Sequence, residues 1–150
     1  MNTYNFYGWE HADCAPLNES IRKKIKNPRD FYDILRKCWT KETCAPRLQA
    51  EWTEENPALG QCSITSFLAQ DIFGGKVYGI LRPGGNYHCY NDVNGIIFDL
   101  TSEQFGEEAK KLSYEGNPEQ FREVHFKKEE KYQRYLVLKE KICHRIQSCF

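Results

Sequence analysis

Between Gly60 and the pair Gly74-Gly75 lies a stretch, Gln61 to Phe73, that has few ways to fold. Ile64, Phe67, Leu68 and Ile72 recur in it at helical spacing. Gly74-Gly75 supplies a helix stop. Apolar side chains fall on more than one side, so the helix predicted over about 61–73 belongs in the interior, with other elements built around it. Cys62 stands at its start. A thiol in the first turn of a helix faces unpaired N–H groups and the positive end of the dipole. Both favour thiolate, the form that attacks carbonyls.

What surrounds this helix is readable in outline. Asn27 can cap a helix with Pro28 in its first position, and Phe31, Ile34, Leu35 and Cys38 follow at helical spacing. Leu17, Ile21 and Ile25 form an apolar side behind the basic run at 22–26. Trp39 and Trp52 flank a segment broken by Pro46 and read as core of a helical region. Lys76 to Arg82 reads as a strand, and Pro83 to Asn86 as a turn. Tyr87 to Asn91 and Ile96 to Leu100 read as two strands of a hairpin. Thr101 and Gln104 have capping-box spacing, and Val124 to Phe126 can form a short strand. The tail from about 127 to 147 is an amphipathic helix with Tyr135, Leu138, Ile142 and Ile146 inward. The sum is a single α+β domain over 1–150: a central helix against a small antiparallel sheet, flanked by helices.

Composition excludes several classes. Lys plus Arg and Asp plus Glu number 21 each, which argues against a general electrostatic grip on nucleic acid or an anionic membrane. No apolar run approaches membrane-spanning length. The start, Met1 to Tyr7, has neither the basic flank nor the apolar stretch of a signal peptide. Seven cysteines are present, an odd number, with no CxxC pair. The expectation is reduced thiols in a cytoplasmic protein, with no metal site and no cofactor.

The hairpin brings chemistry together. With a four-residue loop at 92–95, Asn91 opposes Ile96, Cys89 opposes Phe98, and His88 opposes Asp99, and any even loop length keeps His88 and Asp99 on one face. The carboxylate would hold one imidazole nitrogen while the other faces Cys62. Each residue alone has a plainer reading. Cys62 fits a buried structural thiol, His88 a core or surface histidine, and Asp99 a carboxylate at a helix start. Together they make a nucleophile, a base and an orienter. The backbone N–H of Cys62 is the natural oxyanion donor. The side chains of Gln61 and Asn56 are further candidates, with turn and cap duties as the alternative. Cys89 alternates with His88, so it points to the other face, into core.

Trp39 to Thr43, Asn56 to Cys62, Gln70-Asp71, Gly74-Gly75, His88, Asn91, Gly95 and Asp99 to Phe105 together resemble the YunG-like family of small bacterial proteins, over about residues 35–105. The wider pattern is similar to papain-like and transglutaminase-like folds, with a helix-start Cys, a strand His and a following-strand Asp. That resemblance implies a compact core of that kind and the triad roles for Cys62, His88 and Asp99. It also implies an oxyanion role at the position six residues before the nucleophile, where Asn56 stands one methylene shorter than the usual Gln. The expected function is a thiol-dependent acyl-transfer enzyme, an amidase- or peptidase-like hydrolase or a transferase, acting on a small molecule or peptide. The competing reading is a non-catalytic binding or interaction protein on the same fold.

Overall fold

The computed structural model describes residues 4–150, so the reading of the N-terminal stretch bears in part on residues 1–3, outside the described ones. Two helices come first, α1 (Glu19–Arg22) and α2 (Pro28–Cys38). Then follow α3 (Cys62–Phe73), β1 (Lys76–Leu81), β2 (Tyr87–Val93), β3 (Ile96–Phe98), β4 (Glu119–Gln120), α4 (Arg122–His125) and α5 (Glu129–Ile146). Segments 46–51 and 102–111 are 3-10 helical. The fold is mixed α+β around one four-stranded antiparallel sheet in the order β3-β2-β1-β4.

The helices begin and end where local chemistry dictates. Asn27 accepts hydrogen bonds from the N–H groups of Arg29 and Asp30, with Pro28 next to it, so α2 starts as expected. Gly60, at φ 72°, turns the chain into α3, and a Cβ there would sit 2.5 Å from Cys44 Sγ. At its other end α3 stops at Gly74. From Ser63 through Ala69 every α3 residue is buried, as an interior helix requires. Phe67, Leu68 and Ile64 are fully enclosed, and each contributes about 1.5–3 kcal/mol by burial. Trp39 Nε1 donates to Thr65 Oγ1 at 2.9 Å and pins the end of α2 to α3. Tyr135, Leu138, Ile142 and Ile146 of α5 join the same core.

The structure departs from the sequence reading in five places. Trp52, read as core, is half-buried and joins neither hydrophobic cluster; its Nε1 donates to the Pro57 carbonyl at 3.0 Å. Leu17 is exposed, because α1 is a single turn that faces only Ile21 inward while Ile25 follows in a loop. Residues 124–126 are not a strand: Arg122–His125 is helical, and the short fourth strand lies just before it. Thr101 and Gln104 form no capping box. Asp99 takes the Thr101 side chain, and the Gln104 side chain donates to the Thr101 carbonyl instead of accepting from its N–H. The hairpin turns on two residues rather than four. Val93 pairs with Ile96 and Asn91 with Phe98, around Asn94 (φ 53°) and Gly95 (φ 88°). Two consecutive positive φ values give the turn whose twist matches the strands, and Asn-Gly is its preferred pair. The register moves by two residues, so every side chain keeps its face.

Candidate active site

The sheet has two unlike faces. Val77, Cys89, Val93 and Phe98 point toward α3 and belong to the main core. Asn91 on that face spans to α3, donating to the Ser66 carbonyl at 2.9 Å. Ile80 and Tyr90 point the other way and pack with Leu112, Tyr114, Phe105 and Ile97. His88 lies on this second side, its ring edge-to-face with Phe105 at 4.7 Å.

His88 is 2% exposed and Asp99 0% exposed. Their contact is His88 Nε2 to Asp99 Oδ2 at 2.6 Å. Asp99 is fully occupied. The same oxygen accepts from Tyr114 OH at 2.7 Å, while Oδ1 accepts from Thr101 N at 3.2 Å and faces its hydroxyl at 3.4 Å. Its backbone is fixed by a bridge to Tyr7, whose carbonyl accepts from the Asp99 N–H. Tyr7 in turn stacks on Tyr114, ring centroids 3.8 Å apart. An acceptor-only carboxylate on Nε2 forces a proton there, so the orientation of the imidazole is set. The other nitrogen, Nδ1, is buried without a hydrogen-bond partner among the described residues.

Cys62 opens α3 and is partly accessible, with its thiol 3.9 Å from the Tyr87 carbonyl. Its pKa is held well below the usual thiol value. The Cys89 thiol, donating to it, is the largest cause. Burial opposes, and the His88 imidazole adds its own attraction. His88 feels burial most, which disfavours its charge. Asp99 and Cys62 overcome that and push it up to about 10. The two shifts favour the same charge pair, an ionised Cys62 and a protonated His88, although no hydrogen bond from Nδ1 to the sulfur is closed in this conformation. The other thiols behave differently. Burial raises Cys38 and Cys44, and takes Cys14 and Cys143 up to about 11. Cys89 is raised by donating to Cys62 and by burial.

The two side-chain oxyanion candidates are engaged elsewhere. Gln61 is fully buried, and its Nε2 donates to the Thr40 carbonyl at 3.0 Å. Asn56 Nδ2 donates to the Gln104 carbonyl at 3.3 Å. Both residues hold the turn that leads into α3. Gln104 completes that work, accepting from Gly60 N–H at 3.3 Å and donating to the Thr101 carbonyl at 3.1 Å. It thereby ties the turn before Cys62 to the turn that follows Asp99.

Sequence reasoning missed three parts of this arrangement. Tyr114 and Tyr7 lie in segments without periodicity, and nothing local announces that they converge on Asp99. Cys89 lies in core as expected, but the helix bearing Cys62 covers that same face, and Cys89 is the largest influence lowering the Cys62 pKa. A polar row also crosses the α3 side of the sheet. Gln120 lies over Gly79, where a Cβ would come within 2.8 Å of its Cδ. Gln120 Oε1 accepts from His125 Nε2 at 2.9 Å, and Lys131 Nζ donates to His125 Nδ1 at 2.9 Å.

Comparison with known proteins places the chain without naming a reaction. The family model described as YunG protein matches residues 27–147. An uncharacterized protein YunG of Bacillus subtilis (strain 168) is 40% identical over 72 residues, covering 48% of this chain and 57% of that relative. No solved structure matches the chain. Among the described residues no helix is long and apolar enough to cross a membrane.

Proposed function

The chain belongs to the YunG family, and we propose that it is a thiol-dependent acyl-transfer enzyme on a compact papain-like or transglutaminase-like core, using Cys62, His88 and Asp99. One observation carries the reading. A buried imidazole has one nitrogen locked on a carboxylate at 2.6 Å and the other unpartnered among the described residues, and it attracts the Cys62 thiol, whose pKa is lowered. A fully buried polar atom without a partner costs stability, so its retention fits a group that gains its partner during a reaction.

The chemistry follows from the charges. The Cys62 thiolate attacks an amide, ester or thioester carbonyl, forming the C–S bond. The carbonyl oxygen takes the electron pair and negative charge. The Cys62 backbone N–H, at the helix start, serves as its donor. Collapse of the tetrahedral intermediate breaks the bond to the leaving group, which takes its proton from His88 Nδ1. Neutral His88 then accepts a proton from water or an amine as that molecule attacks the thioester. Expulsion of the Cys62 thiolate restores the ion pair. Asp99 keeps its charge throughout and holds the ring.

A binding protein on the same fold remains the second reading, favoured by the engagement of the Asn56 and Gln61 amides with backbone carbonyls. A generic activated ester separates the two. Incubation of the folded protein with p-nitrophenyl acetate should place one acetyl group on Cys62, read by mass spectrometry of the peptides. Cys62→Ser should abolish it, and His88→Ala should slow it by about 10²–10⁴-fold. Acetylation confined to lysines, with Cys62 unmodified, would favour the binding protein.

A further inference from the structure

We propose that Lys131, held by His125 and Gln120, forms a carboxylate-binding subsite beside Cys62, so that the acyl donors of this protein carry an acidic group close to the reacting carbonyl. The inference rests on the thiol reading above and adds the substrate class to it.

The cluster is built across the α3 face of the sheet. Gly79 pairs with Cys89, and the notch it leaves is filled by the Gln120 side chain. Gln120 fixes His125 Nε2 at 2.9 Å, which makes Nε2 the protonated nitrogen and leaves Nδ1 as an acceptor. Lys131 donates to that acceptor at 2.9 Å. The His125 ring stacks edge-to-face on Phe67 of α3, 5.2 Å between centroids, so the device is anchored to the helix that bears Cys62. Cys62 reaches the same strand from the other direction, 3.9 Å from the Tyr87 carbonyl, two residues before Cys89. An ionised Cys62 acts on Lys131 through space and favours its charge, against the effect of burial.

Among the described residues the ammonium group lacks a counter-ion within ion-pair distance, as most lysines of this chain do, but it is half-buried and bonded to an imidazole. Arg134, one turn along the same helix, is neutralised by Glu130 at 2.7 Å. Lys131 is half-buried, and burial is the main influence lowering its pKa. A half-buried cation whose one side-chain hydrogen-bond partner among the described residues is a neutral imidazole has donor capacity left over. Its surroundings reach the surface: Cys62, Gln120 and His125 are all partly accessible. A substrate carboxylate seated there would gain a charge-assisted hydrogen bond and place its carbonyl neighbour near the thiolate.

The test needs no natural substrate. Iodoacetate and iodoacetamide are similar in size and differ by one carboxylate charge. The rate of Cys62 alkylation by each is measured on the full chain by mass spectrometry, and their ratio is taken. Any change in thiol reactivity acts on both probes and cancels. Lys131→Met should lower the iodoacetate-to-iodoacetamide ratio about tenfold, and Lys131→Arg should retain most of it. An iodoacetamide rate at Cys62 that stands above the other thiols, with a ratio unchanged in Lys131→Met, would overturn the subsite alone. Failure of iodoacetamide to select Cys62 at all would remove the thiol reading and the subsite with it.

Discussion

On the α3 side of the sheet, Val77, Val93 and Phe98 are buried with Ile64, Phe67 and Leu68 in one apolar core. On the other side, His88, Tyr90, Asp99 and Tyr114 are buried just as deeply, yet each carries a polar group. The first face is stable because apolar area leaves water. The second is tolerated because its groups satisfy one another: Tyr114 and His88 on Asp99, Asn117 on Tyr90, Tyr90 on the Tyr114 carbonyl. Only His88 Nδ1 breaks that pattern within the network. The comparison teaches a division of labour. The apolar face carries most of the burial, and on the proposed function the polar face, through His88, acts on Cys62 together with Cys89 from the apolar side.

Truncation on the dry face should therefore have the largest effect on stability and little on chemistry. Phe67→Ala leaves a cavity under α3, and urea denaturation should give a loss of about 3–5 kcal/mol. The fraction that remains folded should still acetylate Cys62 in preference to its other thiols. Loss of that selectivity in folded protein would break the division.

Asp99→Asn attacks the polar face. An amide facing His88 Nε2 and Tyr114 OH replaces an acceptor with a donor, which turns the imidazole toward the wrong tautomer. Acetylation of Cys62 should fall by about 10²–10⁴-fold. Stability should fall by about 1–3 kcal/mol, less than for Phe67→Ala. A variant that loses stability alone and acetylates normally would make Asp99 structural. Tyr114→Phe removes one of the four donors around that carboxylate. It should cost about 1 kcal/mol and slow Cys62 acetylation only severalfold. An effect as large as that of Asp99→Asn would mean that the tyrosine, and not the carboxylate, orients the ring.

The dry face was the more legible in the sequence, for a physical reason. Its helix is specified by local spacing between Gly60 and Gly74, and its strands by composition. The pairing of His88 with Asp99 followed from alternation alone, which survived a two-residue error in the turn because the period of a strand is two. The rest of the polar face comes from distant segments. Tyr7 reaches Asp99 from the other end of the chain, and Tyr114 follows an irregular stretch kinked at Gly106. Gln104 had capping-box spacing, yet its side chain serves Gly60, forty-four residues away in sequence. No local pattern encodes such contacts. The same limit hid the influence of Cys89 on Cys62, since a strand's alternation says which face a residue takes but not what covers that face.

The central claim is that His88 keeps Cys62 ionised. It is tested most directly by titrating the ultraviolet absorbance of the thiolate in wild type against Cys62→Ser, and repeating the pair in a His88→Ala background. Because the Cys62 pKa is lowered, the difference signal should persist below the pH at which an ordinary thiol protonates and be lost on further acidification. In the His88→Ala pair the same signal should move up in pH, toward the ordinary thiol value of about 8.5. The Cys89 interaction and the helix start should keep part of the shift. A wild-type signal that appears only at or above about pH 8.5, or one that His88→Ala leaves in place, would contradict the account.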